Sequence, residues 1–178
     1  MKGVTIWFTG LSGSGKTTIA NSIKQKLAEE SITVIVLDGV VVRQSLSRYL
    51  GYSKEERDRH ITRVADVCKL ITEQGGIVIA CIISPTRKIR EYARKATGNF
   101  IEVNVKCPLS VCEQRDPKDH YKRVRASQNT EDFVGITIPY EEPENPEVVV
   151  DTDKSTIEEC TEKIITYLKN YLYEERHG

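Results

Sequence analysis

Short, continuous apolar runs alternate along the chain with longer stretches in which apolar residues recur every third or fourth position. The first kind of run predicts strands, and the second predicts amphipathic helices. Residues 4–9 (VTIWFT), 32–37 (ITVIVL), 77–83 (IVIACII), 100–105 (FIEVNV) and 148–150 (VVV) are the predicted strands. The unbroken apolar run at 32–37 is typical of a strand buried on both faces. A helix over 17–30 carries Ile19, Ile23 and Leu27 on one side. Ser53-Lys54-Glu55-Glu56 is a capping box that starts a second helix, with Ile61, Val64, Cys68 and Ile71 inward and Gly75-Gly76 as its stop. A basic helix follows Ser84-Pro85 and stops near Gly98, with Ser84 as a candidate N-cap. A last helix over 156–173 turns Ile157, Cys160, Ile164, Leu168 and Leu172 inward. Alternating strands and helices predict an α/β fold: a five-stranded, mostly parallel sheet with helices on both faces. At 178 residues the chain is expected to form one domain, residues 1–178.

The expected carboxyl ends of the strands, where such folds bind ligands, hold the informative polar residues. Gly10, Leu11, Ser12, Gly13, Ser14, Gly15, Lys16 and Thr17 fit the phosphate-binding loop pattern G-x-x-x-x-G-K-[ST] at every fixed position. A predicted strand precedes this octet and a predicted helix follows it, which is the context the motif requires. Glycines let the backbone turn its N–H groups toward phosphate oxygens, and the positive end of the helix faces the same anion. Lys16 is placed to reach the β and γ phosphates of ATP, and Thr17 to set a hydroxyl on Mg²⁺.

Composition narrows the partners. Lys+Arg and Asp+Glu both number 26, so there is no basic surplus of the kind that general nucleic-acid binding needs. No apolar stretch is long enough to span a bilayer, and no signal peptide is visible. Five cysteines, an odd count without metal-type spacing, are expected to be reduced residues of a cytoplasmic protein.

Residues 113–147 break the strand–helix rhythm. They hold four of the six prolines and a dense basic patch of Arg115, Lys118, Lys122, Arg123 and Arg125. A segment of this kind between core strands of a phosphate-binding fold is expected to be a basic lid that excludes water from the transferring phosphoryl group. The chain lacks the Asn-Lys-x-Asp guanine signature of many nucleotide switches. Its length and its lid favour a small-molecule kinase.

Several motifs together resemble the adenylylsulfate kinase family. They are Gly10 to Thr17, Leu37-Asp38-Gly39 with Val42-Arg43, Leu50-Gly51-Tyr52-Ser53, Ile83-Ser84-Pro85 and Phe100-Ile101-Glu102-Val103. Further along come Cys112-Glu113-Gln114-Arg115-Asp116-Pro117-Lys118, Phe133-Val134-Gly135-Ile136, Pro139-Tyr140-Glu141 and Pro143-Glu144-Asn145-Pro146-Glu147. The resemblance covers nearly the whole chain. It implies Mg²⁺-dependent transfer of the γ-phosphoryl of ATP to the 3′-hydroxyl of adenosine 5′-phosphosulfate, by a protein that is often a homodimer. Carried over position by position, it implies that residues Gly10 to Thr17 with Thr18, Arg115 and Lys122 hold ATP. Lys16, Asp38 and Ser84 would be catalytic, and Thr17 and Asp38 would hold the metal, Asp38 suiting either a metal ligand or a base. Arg43 and Arg57 would hold the acceptor's anion, and Tyr52 and Phe133 would sandwich its base. Asp38, His60, Ile83, Ser84 and Pro85 would complete the acceptor site.

The chain departs from the family pattern on the acceptor side. The usual Asp-Gly-Asp is Asp38-Gly39-Val40, the usual Asn-Ile-Arg-Arg is His60-Ile61-Thr62-Arg63, and the lid stretch from Ser127 to Gly135 gains a residue and loses a lysine. The strand-end Ser-Pro-Tyr-Arg becomes Ser84-Pro85-Thr86-Arg87. These changes leave two alternatives beside the standard acceptor. One is a related 3′-kinase acting on another activated nucleotide, such as a cytidine diphosphate derivative. The other is a weakly active nucleotide-binding regulatory subunit.

Overall fold

The computed structural model describes residues 3–116, 119–126 and 132–177. Five strands form one sheet: β1 (Val4–Thr9), β2 (Val34–Asp38), β3 (Ile77–Cys81), β4 (Phe100–Lys106) and β5 (Val148–Asp151). Their spatial order is β2-β3-β1-β4-β5, and every pairing is parallel. The helices are α1 (Lys16–Glu29), α2 (Gly39–Leu46), α3 (Lys54–Glu73), α4 (Arg87–Thr97), α5 (Leu109–Arg115), α6 (His120–Ala126) and α7 (Ile157–His177).

The period-2 alternation of the central strand sorts two cores. Val4, Ile6 and Phe8 face a cluster built with Ile19, Ile23 and Leu27 of α1 and Ile164 and Leu168 of α7. Trp7 faces the opposite cluster, with Ile61, Val64 and Cys68 of α3 and Ile89 and Ala93 of α4. Helices therefore cover both faces, and β1 ends in the middle of the sheet with the phosphate loop at its tip. Among the described residues no helix is long and apolar enough to cross a membrane.

Three local expectations need correction. β2 is an edge strand, hydrogen-bonded to β3 alone, so it is not buried on both faces, and Ile35 is 40% exposed. Ile157 is 51% exposed because it opens α7 before the helix meets the sheet. Ser84 does not cap α4; the Thr86 hydroxyl accepts from Ile89 N instead. The Asp38-Gly39 pair begins helix α2, with Asp38 as its N-cap, accepting from Val40 N at 2.9 Å and Val41 N at 3.3 Å.

The expected lid divides in two. Its first part runs through the end of α5 and through α6, both of which touch the phosphate loop. The stretch after Pro139 is tied to α4: Glu141 N donates to Pro85 O at 2.8 Å, Arg87 Nε to Glu142 O at 2.9 Å, and Arg90 Nη2 to Glu141 O at 2.6 Å. Lys118 of the basic patch and residues 127–131 of the altered stretch lie outside the described residues.

Candidate active site

β1 delivers its chain into the loop, and the loop's shape depends on residues without a side chain. Gly10 has φ +147°, and a Cβ there would stand 2.5 Å from Val105 O. Lys16 opens α1, and its Nζ donates to Gly10 O at 2.9 Å, Leu11 O at 2.6 Å and Ser14 Oγ at 3.3 Å. Burial lowers its pKa to about 8. An ammonium curled inside its own loop faces the space that the loop's N–H groups enclose, where a phosphate oxygen would compete for it.

Two residues 21 positions apart meet at the loop. The Thr17 hydroxyl donates to Asp38 Oδ2 at 2.6 Å. The capping bonds from α2 to Oδ1 fix the carboxylate, so Oδ2 is aimed at Thr17. One hydroxyl and one carboxylate oxygen are hard donors, and they suit Mg²⁺, which keeps few protein ligands beside phosphate and water oxygens. Thr17 and Asp38 could hold that ion. Val40 sits in the first turn of α2, partly exposed, and brings no oxygen to it.

A second cluster, aromatic and basic, is built on α2 and on the loop before α3. Tyr52 is 64% exposed, and the Arg43 guanidinium lies 4.2 Å from its ring centroid. Arg43 Nη2 also donates to Gly51 O. Arg57 Nε donates to Tyr52 O at 2.7 Å, and its Nη2 donates to Asp132 O. Arg57 thus joins the Tyr52 loop to the segment that carries Phe133. Phe133 packs edge-on against Tyr121, with centroids 4.9 Å apart, and the Tyr121 hydroxyl donates to Ser12 O at 2.9 Å. Gly135 lies against the phosphate loop as well; a Cβ there would come within 3.0 Å of Leu11 Cδ2.

His60 takes a different position from an exposed base reader. It is 5% exposed, and its Nδ1 lies 2.9 Å from Ser47 Oγ, joining α3 to the end of α2. Burial and the nearby charges of Arg43 and Arg63 lower its pKa to about 4, so it is a neutral packing group. Ser84, expected as catalytic, is fully buried with φ +42°. Its Oγ accepts from Trp7 Nε1 at 3.0 Å and donates to Thr9 Oγ1 at 3.2 Å, while its carbonyl accepts from Arg90 Nη1 at 2.6 Å. Thr9 Oγ1 in turn donates to Ile83 O at 2.7 Å and lies 2.9 Å from the Tyr140 hydroxyl. The Ser84 hydroxyl is spent inside this network, which holds the tip of β3; it is not presented to a ligand.

Arg115 lies beside the loop: it donates to Thr152 Oγ1 at 3.0 Å and Thr152 O at 2.7 Å, and Thr152 Oγ1 donates to Ser14 O at 2.9 Å. Lys122 is exposed on α6, and its backbone N donates to Asp116 Oδ2 at 3.1 Å. Ile83 and Pro85 flank Ser84 at the strand tip. No sequence motif marks Tyr121, Thr152 or Arg90, and Tyr140 is marked only as part of Pro139-Tyr140-Glu141. Each acts through a partner more than 30 positions away or through a backbone carbonyl, and only the buried aromatic within a basic stretch marks Tyr121. A cleft of about 470 Å³ lies apart from this site, between α4 and the residues before β5. Its arginines are matched by carboxylates, as in Arg94–Glu147 at 2.6 Å and Arg90–Glu102 at 2.9 Å.

The loop, the Thr17–Asp38 pair and the motifs around them can be set against known proteins. Residues 2–151 match the adenylylsulphate kinase family. The chain belongs to that family. It is 49% identical over 172 residues to an adenylyl-sulfate kinase of Halothermothrix orenii, covering 97% of this chain and 92% of the relative. It is 50% identical over 172 residues to an adenylyl-sulfate kinase of Gloeothece citriformis, covering 97% of each. A solved APS kinase of Mycobacterium tuberculosis, in complex with AMPPNP and APS, superposes with a TM-score of 0.89 at 40% identity, covering 94% of this chain and 98% of that one. The fold is that of a phosphate-loop kinase. Membership favours the adenylylsulfate acceptor over both the cytidine diphosphate alternative and the regulatory-subunit alternative.

Proposed function

We propose that this chain transfers the γ-phosphoryl of ATP to the 3′-hydroxyl of adenosine 5′-phosphosulfate, giving ADP and 3′-phosphoadenosine 5′-phosphosulfate. The observation that carries the reading is the 2.6 Å contact between Thr17 and Asp38 at an intact phosphate loop, Asp38 capping the helix that carries Arg43 of the Arg43–Tyr52–Arg57 cluster. Residues Gly10 to Thr18, with Arg115 and Lys122, bind ATP in this scheme. Lys16 follows the γ-phosphoryl and stabilises charge on its oxygens. Thr17 and Asp38 would hold Mg²⁺, which would supply positive charge to offset that of the phosphate oxygens. Arg43 and Arg57 exchange their present carbonyl partners for the acceptor's anionic group, to which a guanidinium fork is suited. The adenine stacks between Tyr52 and Phe133. Ser84 acts indirectly, by holding the tip of β3.

Helix α6 and the turn around Phe133 form the moving part of a lid on a single domain, and residues 139–147 form its anchored end. The protein works as a homodimer in the cytoplasm, with five free thiols consistent with a reducing compartment. The test is the position of the transferred phosphate. Phosphorus and proton NMR of the product are expected to show a new phosphate on the 3′-oxygen. A phosphate elsewhere on the acceptor, or only inorganic phosphate, overturns the reading.

A further inference from the structure

Two of the five cysteines meet at the start of α5. Cys107 precedes Pro108, the N-cap of that helix, and Cys112 is its fourth residue. These are the two positions whose side chains touch across a helix start, where a pair of apolar residues usually sits. Cys112 is fully buried and Cys107 half-buried. The Cys112 thiol points back to Cys107 O at 3.9 Å. Burial first, and then its hydrogen bond with the Cys107 thiol, push its pKa up to about 12. On the open side, Arg115 Nη1 lies 3.5 Å from Cys107 Sγ. Cys68, Cys81 and Cys160 are buried in other elements.

This pair is wired to the phosphate loop by two routes. The Arg115 guanidinium that touches Cys107 also grips Thr152, whose hydroxyl holds Ser14 O. The Cys112 backbone carbonyl lies against Gly13 so closely that a Cβ on Gly13 would stand 2.9 Å from it. A change in either cysteine therefore acts on the loop from beneath and from the side.

We propose that Cys107 and Cys112 form an oxidation site, a dithiol that closes to a disulfide and loosens the phosphate loop. The oxidant is a peroxide. Cys107, reachable from solvent and beside a guanidinium, gives its sulfur electron pair to one peroxide oxygen as the O–O bond breaks, forming a sulfenic acid and releasing water. The Cys112 sulfur then displaces the hydroxyl of that sulfenic acid, losing its proton, and a second water leaves. Two thiols lose two electrons in total, and the peroxide gains them. A dithiol reductant reverses the step by exchange. Drawing the two sulfurs to bonding distance moves Cys107 off Arg115 and shifts the first turn of α5 against Gly13. The inference rests on the loop being the ATP site, and the reduced protein's nucleotide affinity tests that separately.

The experiment uses the full chain, reduced and then treated with hydrogen peroxide. Trypsin releases Cys107 to Arg115 as one peptide, because no Lys or Arg lies between them. The expected result is loss of two hydrogens from that peptide, together with an approximately tenfold weaker affinity for a fluorescent ATP analogue, about the effect of losing one net hydrogen bond at the loop. Dithiothreitol restores both, and Cys107→Ser, a mild change at a half-buried position, abolishes both while binding nucleotide normally when reduced. An unchanged peptide mass, a disulfide without loss of affinity, or equal loss of affinity in Cys107→Ser overturns the proposal.

Discussion

The Thr17 hydroxyl donates to Asp38 Oδ2 at 2.6 Å, while the other oxygen of the same carboxylate caps α2. One side chain thus joins the phosphate loop to the helix that carries Arg43, and its two oxygens have separable tasks. Asp38→Asn keeps an N-capping oxygen but loses the charge a metal needs. Its thermal stability is expected to stay near that of the native protein, while kcat falls about 100-fold or more. Asp38→Ala should lose both, with an added stability cost of about 1 kcal/mol from the cap. Steady-state kinetics and thermal melts of the two variants separate the tasks; equal activity in Asp38→Asn and the native chain would remove Asp38 from the metal site.

Lys16 gives a pH dependence with a definite sign. The fold releases its proton near pH 8, while an unfolded lysine holds it to 10.5. Between those values the unfolded chain binds more protons, so this group's contribution to stability rises with pH across that window. Phosphate binding needs the charged form. The kcat/KM for ATP is therefore expected to fall as pH rises through about 8, and Lys16→Arg should flatten that limb whatever its absolute rate. A pH–rate profile with no descending limb near 8 contradicts the placement of Lys16.

His60 predicts acid sensitivity. Its folded pKa of about 4 lies below the ordinary value of 6.5, so its contribution to stability is complete above pH 6.5 and is lost as pH falls toward 4. The loss is on the order of 3 kcal/mol. His60→Gln should be less stable than the native protein near neutrality, yet lose less melting temperature between about pH 7 and pH 4.5. A parallel decline in both proteins would show that His60 is not the group responsible.

Arg57 links the Tyr52 loop with the Phe133 segment through Tyr52 O and Asp132 O. Arg57→Ala is expected to raise the KM for adenosine 5′-phosphosulfate by roughly 10- to 100-fold, the worth of a hydrogen bond to a charged group. The KM for ATP should change little. Initial-rate measurements varying each substrate in turn decide this, and an equal rise for both substrates would make Arg57 a general structural residue.

The legible parts of this protein were those with local causes. The phosphate loop, its flanking strand and helix, the Ser53–Glu56 capping box and the stop at Gly98 are each set by neighbouring residues. Helix α2 was hidden because Val40, Val41 and Val42 are β-branched and Asp38-Gly39 reads as a turn; two backbone N–H groups bonded to Asp38 decided otherwise. The burial of Ser84 was not legible either. It follows from Trp7, Thr9 and Arg90, which only the sheet order and the start of α4 bring to one point. The half-exposed character of β2 likewise depends on its place at the edge, which its apolar sequence does not encode.

The most direct measurement is ADP release by the purified chain with Mg²⁺ and ATP, with and without adenosine 5′-phosphosulfate. The account predicts rapid release that requires the acceptor and Mg²⁺ and is lost in Lys16→Ala, whose fold remains intact by circular dichroism. Release independent of the acceptor, or turnover with another nucleotide but not with adenosine 5′-phosphosulfate, would contradict it.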